Sequence, residues 1–286
     1  MAETTVKRRK RTTTTKQAPK ADNNRGGTKK RLKDKAKPPG ENRAGRIGHG
    51  VLFGPPKTGK TGAACGPNTL LISFDPDGDS TEILKGRDDV FVLTPRTFEE
   101  AEEIVAALHA GQAKDFDYIV FDSLTYAFQL FDNKEILKIY QRGGDIRRGY
   151  GKAGSMVVSL VHDLTQLTET SVIFTAHLAK DDAKGDDGLV SVDTELGESE
   201  VKIAVTEMVW KVLGGAVSWI GRTYKDEVRE RQEGSKKLTK RSRYMLSFND
   251  GERSPAGSRY TMAGEYEINR DSSVLQQIEA DINGGA

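Results

Sequence analysis

The segment Gly54-Pro55-Pro56-Lys57-Thr58-Gly59-Lys60-Thr61 constrains this chain more than any other stretch of it. It satisfies G-x-x-x-x-G-K-[ST], a spacing with a direct physical meaning. Glycines at both ends let the backbone turn tightly and approach an anion, while the amides between them point into a shared concavity. Lys60 is placed to reach β- and γ-phosphates and the Thr61 hydroxyl to complete a Mg2+ shell, and the helix that opens through Gly62 adds its positive end. The ligand expected on such a loop is ATP with Mg2+. The flanks agree, because Gly50-Val51-Leu52-Phe53 reads as a short buried strand and residues 60–65 as a helix start.

Three further apolar runs end in polar groups. Asn68-Thr69-Leu70-Leu71-Ile72-Ser73-Phe74 is a strand that delivers Asp75, Asp77 and Asp79 to a loop. Tyr118-Ile119-Val120-Phe121 closes on Asp122 and Ser123, and a carboxylate at that strand end suits a metal opposite Thr61. Ser171-Val172-Ile173-Phe174-Thr175-Ala176 closes on His177, where ligands gather in open α/β sheets. Residues 90–93 are another strand candidate. Residues 97–109 carry a capping box, Thr97 with Glu100, and apolar positions at helical spacing. This alternation of strands and helices predicts an α/β fold with a mainly parallel sheet flanked by helices.

The chain is 286 residues long and has a formal net charge of +2, which hides an asymmetry. Residues 1–46 hold 16 Lys/Arg against 4 Asp/Glu, and the remainder 28 against 38. With hardly any large apolar residue, residues 1–46 are expected to form a disordered basic arm. Such an arm suits nucleic-acid phosphates; a nuclear-import signal in KRRKR and a plain solubilising tail are the other readings. The expected division is 1–46 as arm, 47–270 as core and 271–286 as a C-terminal helix or tail. A lone cysteine, Cys65, allows no internal disulfide, and no apolar run has the length of a membrane span. Neither a membrane partner nor export is expected, and the compartment expected is cytoplasmic.

Residues 141–154, QRGGDIRRGYGKAG, read as a glycine-rich basic loop carrying Arg142, Arg147, Arg148, Lys152 and one aromatic, Tyr150. That composition suits single-stranded nucleic acid, and equally an ordinary mobile surface loop. A helix is expected over 156–167, strands over 209–220 and 243–248, and a charged hairpin or solvated connection over 225–243. Residues 181–200 read as an acidic loop, and 272–282 as a short closing helix. Trp210 and Trp219 are expected in the core.

Together GPPKTGKT, the strand DYIVFDS and the order of elements resemble the RecA-like P-loop ATPase core, in particular its phage-type members, which group with AAA-type nucleotide-binding proteins and single-strand annealing recombinases. The resemblance covers about residues 47–260. It implies ATP hydrolysis, with Lys60, Asp77 and His177 as the catalytic set and Thr61 and Asp122 at the metal. Asp77 matches the position of the water-activating carboxylate, usually Glu in that family, with Asp75 and Asp79 as competitors. His177 matches a polar sensor. The resemblance further implies single-stranded DNA in recombination, annealing or replication, DNA-stimulated turnover, a homo-oligomeric ring or filament, and a host cytoplasm if phage-encoded. Residues 141–154 and 178–200 correspond to DNA-contacting loops, although Asp181, Asp182, Asp186 and Asp187 in the second repel phosphates. Arg253 and Arg259 lie where a neighbouring subunit supplies a finger. The alternative is a nucleotide-gated oligomerisation or loading protein with incidental turnover.

Overall fold

Short runs of Val, Ile, Leu and Phe bounded by glycine and polar residues form the strands β1 (Gly50–Gly54), β2 (Thr69–Ser73), β4 (Tyr118–Asp122) and β5 (Ser171–His177), nearly all of whose residues are buried. Burial on both faces is what a continuous apolar run, as opposed to an alternating one, specifies. The structure, a computed structural model, describes residues 46–145, 147–178, 203–231, 238–249, 255–269 and 272–284. Residues 1–45 of the expected arm, the acidic stretch 181–200 and Arg253 lie outside them.

Among the described residues the sheet has nine strands in the order β3-β2-β4-β5-β1-β6-β7-β9, with β8 (Gly257–Ser258) paired to β6. The six from β3 (Val90–Leu93) to β6 (Trp219–Arg231) are mutually parallel. β7 (Leu238–Ser247) and β9 (Glu265–Glu267) add antiparallel at one side. The α/β fold is therefore a mixed, mostly parallel sheet flanked by helices.

Alternation along each strand sorts side chains onto two faces. Val51, Phe53, Ile72, Phe121 and Phe174 pack with α2 (Phe98–His109), α3 (Leu124–Gln141), α4 (Arg147–Thr165) and α5 (Glu207–Ala216). Leu52, Leu71, Val120, Ile173 and Trp219 pack with the short α1 (Lys60–Ala64) and with α6 (Val274–Gly284), whose Val274, Leu275 and Ile278 are buried. Trp219 is in the core and its indole donates to the Ile47 carbonyl at 2.9 Å, whereas Trp210 is partly buried at the rim of the first face. Thr97 caps α2 by accepting from the Glu100 amide at 3.1 Å, and the Glu100 carboxylate accepts from the Arg96 amide at 2.6 Å.

Two expectations are corrected. Residues 209–216, read as strand, are helical: the Thr206 side chain caps α5 by accepting from the Val209 amide, and the buried pair Val209 and Leu213 is spaced four apart. A short apolar run is ambiguous until its neighbours choose the period. The glycine-rich stretch is no loop beyond residue 145. Arg147–Thr165 is one helix, and Gly149 is there because a Cβ would lie 2.9 Å from Ile136 Cγ1 and 3.1 Å from its backbone nitrogen. Its glycine serves close helix packing rather than backbone freedom.

Candidate nucleotide site

β1 and β5 pair in register Gly54↔His177, and β2 and β4 in register Ser73↔Asp122, so four strand ends release their next residues on the same side of the sheet. The loop between β1 and α1 then wraps back over that edge. Lys57 and Gly59 adopt left-handed backbone angles, φ 63° and 82°, which turn the chain through the loop. Gly54 must lack a side chain, since a Cβ would stand 2.3 Å from the Thr223 carbonyl oxygen on β6. Thr58 Oγ1 donates to the Pro55 carbonyl at 2.8 Å and meets Thr223 Oγ1 at 2.7 Å, tying the loop to β6.

Lys60 is buried, its Nζ donating to the carbonyls of Gly54 at 3.0 Å and Pro55 at 2.7 Å. Burial lowers its pKa to about 8, partly offset by the negative charge of Asp122. Thr61 Oγ1 donates to Asp122 Oδ2 at 2.9 Å, and the Thr175 hydroxyl donates to the other oxygen, Oδ1. Burial pushes the Asp122 carboxyl upward, against those two donors and Lys60. Hard oxygen donors, one neutral and one acidic, beside a buried lysine fit a small divalent cation bridged to phosphate.

His177 closes the far wall. Its amide donates to Thr125 Oγ1 at 3.1 Å and its ring meets Tyr126 edge-on, centroids 5.0 Å apart. Burial first, and Lys60 second, lower its pKa to about 4, so the imidazole is neutral at physiological pH. Asp75 is buried and accepts from the Ser80 amide at 2.7 Å and the Asp77 amide at 3.3 Å. Burial raises its carboxyl, but hydrogen bonds from Ser80, Asp77 and Gly78 together outweigh this and hold it below the usual range. Asp75 is thus committed to shaping the turn, while Asp77 and Asp79 stand exposed on the rim of a cavity of about 350 Å³ that Lys60, Thr61, Asp122 and His177 also line. A second cavity of about 500 Å³ shares Lys57, Gly59 and Gly62 with the first and is walled by Tyr244, Ile268 and Asn269.

A strand–loop–helix phosphate cradle with its metal carboxylate in place is the site of a P-loop NTPase, and a family model described as an AAA domain matches residues 49–260. The chain belongs to the AAA domain family. No curated protein matches it.

Within this AAA domain the sequence-derived residues divide into three groups. Pro56, Lys57, Gly59, Lys60, Thr61, Gly62, Asp77, Asp122 and His177 line the two neighbouring cavities, with the Gly54 and Pro55 carbonyls holding Lys60 and Thr58 tying the loop to β6 behind them. Arg142, at the C-terminal cap of α3, and Arg147, Arg148, Tyr150 and Lys152, in the first two turns of α4, line neither cavity. Lys152 is salt-bridged to the buried Glu135 at 2.6 Å, with Lys138 on its other oxygen at 2.8 Å. Arg259 is exposed, its amide donating to the Ser218 carbonyl at 2.9 Å and its guanidinium to the Gly215 carbonyl at 3.3 Å. Thr175, Thr223, Tyr126, Tyr244 and Ile268 were not anticipated. Thr175 had a faint signal, two places before His177 on a strand and hence on its face. Tyr126 is placed by the start of α3 just after Asp122, and Thr223, Tyr244 and Ile268 follow only from which strands pair.

Proposed function

We propose that this AAA domain binds ATP with Mg2+, hydrolyses it, and acts on single-stranded DNA in recombination, annealing or replication. The observation that carries the nucleotide reading is the Thr61–Asp122 contact beside a lysine folded onto its own loop. Lys60 leaves the carbonyls of Gly54 and Pro55 and donates to β- and γ-phosphate oxygens. Thr61 and Asp122 would hold Mg2+, which when bound would supply charge neutralisation on the transferred group. Asp77 accepts the proton of the water whose oxygen forms the new bond to the γ-phosphorus as the bond to the β-phosphate oxygen breaks. His177, neutral, donates a hydrogen bond toward that phosphate and passes its presence to the elements after β5. The nucleoside occupies the neighbouring cavity, against Tyr244 and Ile268.

Support for a nucleic-acid strand comes from the α3–α4 turn. Residues 134–152 carry six Lys/Arg against two Asp/Glu. Tyr140 is 69% exposed and Tyr150 50%, so aromatic faces stand among the cations. Cations for phosphates and rings for bases are what sequence-tolerant strand binding requires.

A nucleotide-gated oligomerisation or loading role is the second reading, favoured by the exposed rim position of Asp77, which leaves the attacking water poorly shielded. ATPase rates of the full chain with and without oligothymidine separate the two. Stimulation supports the DNA-acting hydrolase, and indifference the switch.

A further inference from the structure

The cavity of about 500 Å³ beside the phosphate loop has apolar walls that stand partly open. Tyr244 is 38% exposed, and Ile83, which lines both cavities, is 46% exposed. Two half-covered apolar groups on one concave surface suit a flat ring that buries them. The walls are fixed against the loop. The Ile268 amide donates to the Tyr244 carbonyl at 2.7 Å, and a Cβ placed on Gly59 would lie 3.5 Å from Ile268 Cγ2 and 3.9 Å from Tyr244 Cβ. Asn269 follows Ile268 directly and lines the same cavity.

Most polar side chains around this cavity are already committed or offer a single kind of bond. Arg87 is spent on the two Asp89 carboxylate oxygens, at 2.6 and 2.7 Å, and on the Gly66 carbonyl at 2.9 Å. The Ser272 and Ser273 hydroxyls are turned to α6, accepting from Gln277 Nε2 at 3.3 Å and from the Gln276 amide at 3.4 Å. Lys57 and Lys85 can only donate, and Lys85 is paired with Glu82 at 2.9 Å. Tyr244 adds one hydroxyl. Asn269 remains, exposed, with no partner for its carboxamide among the described residues. A carboxamide carries an acceptor and a donor side by side, which is the spacing at which the edge of a nucleobase presents its own groups.

We infer that Asn269 reads the base of the bound nucleotide and selects adenine. This rests on the nucleotide reading above and adds to it the residue that sets base preference. The carboxamide oxygen accepts from the adenine N6 amino group, and the carboxamide NH2 donates to the neighbouring ring nitrogen. Guanine meets the same amide less well. Through O6 and N1–H it forms two bonds but leaves its N2 amino group without a partner from this amide, and through O6 and N7 it offers two acceptors where one donor is wanted. A polar group stripped of water and left unpaired is what turns so small a difference between bases into discrimination.

Calorimetry on the full chain tests this, with Mg2+ and with ATP, GTP or inorganic tripolyphosphate as ligand, for the parent, Asn269→Ala and Asn269→Asp. The parent is expected to bind ATP about tenfold more tightly than GTP, the factor that one unpaired amino group supplies. Asn269→Ala is expected to bring the two affinities to within about twofold of each other, through loss on the ATP side. Asn269→Asp presents two acceptors, which fit the N1–H and N2 amino group of guanine, and is expected to favour GTP. Tripolyphosphate has no base, so its binding reports the phosphate loop alone and shows that each variant is folded. An Asn269→Ala chain that keeps the parental ratio, or a parent that binds ATP and GTP equally, overturns the assignment of Asn269 and leaves the nucleotide site standing. A parent that binds neither nucleotide nor tripolyphosphate removes the nucleotide reading itself.

Discussion

Lys60→Ala deletes the cation that bridges the Gly54 and Pro55 carbonyls and is proposed to transfer to phosphate. Charge-assisted contacts are worth about 1.5–3 kcal/mol each, so nucleotide affinity measured by calorimetry is expected to fall at least tenfold. Asp77→Asn is expected to keep ATP binding while stopping turnover, because the amide cannot take the proton from water. Hydrolysis at the parent rate would remove Asp77 from the role of base and pass it to Asp79, since the Asp75 carboxylate is occupied by the Ser80 and Asp77 amides. Thr175→Val takes a donor from the buried Asp122 and is expected to cost about 1–3 kcal/mol of stability in denaturant melts. The contiguous part of this site was legible in the sequence, because eight adjacent residues carry both the backbone geometry and the lysine. Thr175 and Thr223 were not, because each acts on a residue 53 or 165 positions away through strand register.

The α3–α4 pair shows how an element escapes a composition rule. Glycine and arginine at 141–154 suggested a loop, yet Gly149 lies against Ile136 and Glu135 holds Lys138 and Lys152 across the pair. Gly149→Ala is expected to force the helices apart and cost about 1–3 kcal/mol, as overpacking does. The Lys138 and Lys152 donors hold the Glu135 carboxyl below the ordinary glutamate range. A depressed carboxylate contributes stability that is present above the unfolded pKa of about 4.3 and lost as pH falls through the folded value. Glu135→Gln is therefore expected to melt below the parent at pH 7, by about 1–2 kcal/mol since both lysines are half exposed, with a gap that narrows as pH falls below about 4.3. A gap that stayed constant as pH was lowered would assign the loss to packing instead of charge. The apolar run at 209–220 was divided by a different cause. Thr206 supplies a cap at one end, and Trp219 pairs with Gly50 at the other, so the run is part helix and part strand.

At the scale of the whole molecule, a core on each face of one sheet makes the C-terminal helix structural. Leu275 is fully buried with Val274 and Ile278 against the second face. Leu275→Ala is expected to cost about 2–5 kcal/mol. Among the described residues no helix is long and apolar enough to cross a membrane. The charge asymmetry between residues 1–46 and the rest makes a separate prediction. Deleting that arm is expected to weaken oligothymidine binding and flatten its salt dependence, while ATP hydrolysis without DNA is unchanged. An unchanged salt slope would leave the arm a solubilising tail.

The sequence by itself determined the phosphate loop, the strands that end in Asp122 and His177, and the parallel α/β architecture. Each of these is written in adjacent residues, where local sterics and the two periods of helix and strand decide the outcome. Only the tertiary structure decided which hydroxyls hold Asp122 and which of the three aspartates at 75, 77 and 79 is occupied. The Thr175 contact depends on strand order and register, where a shift of one residue in pairing reverses every side chain on a strand, and the Asp75 contacts depend on how the turn after β2 closes.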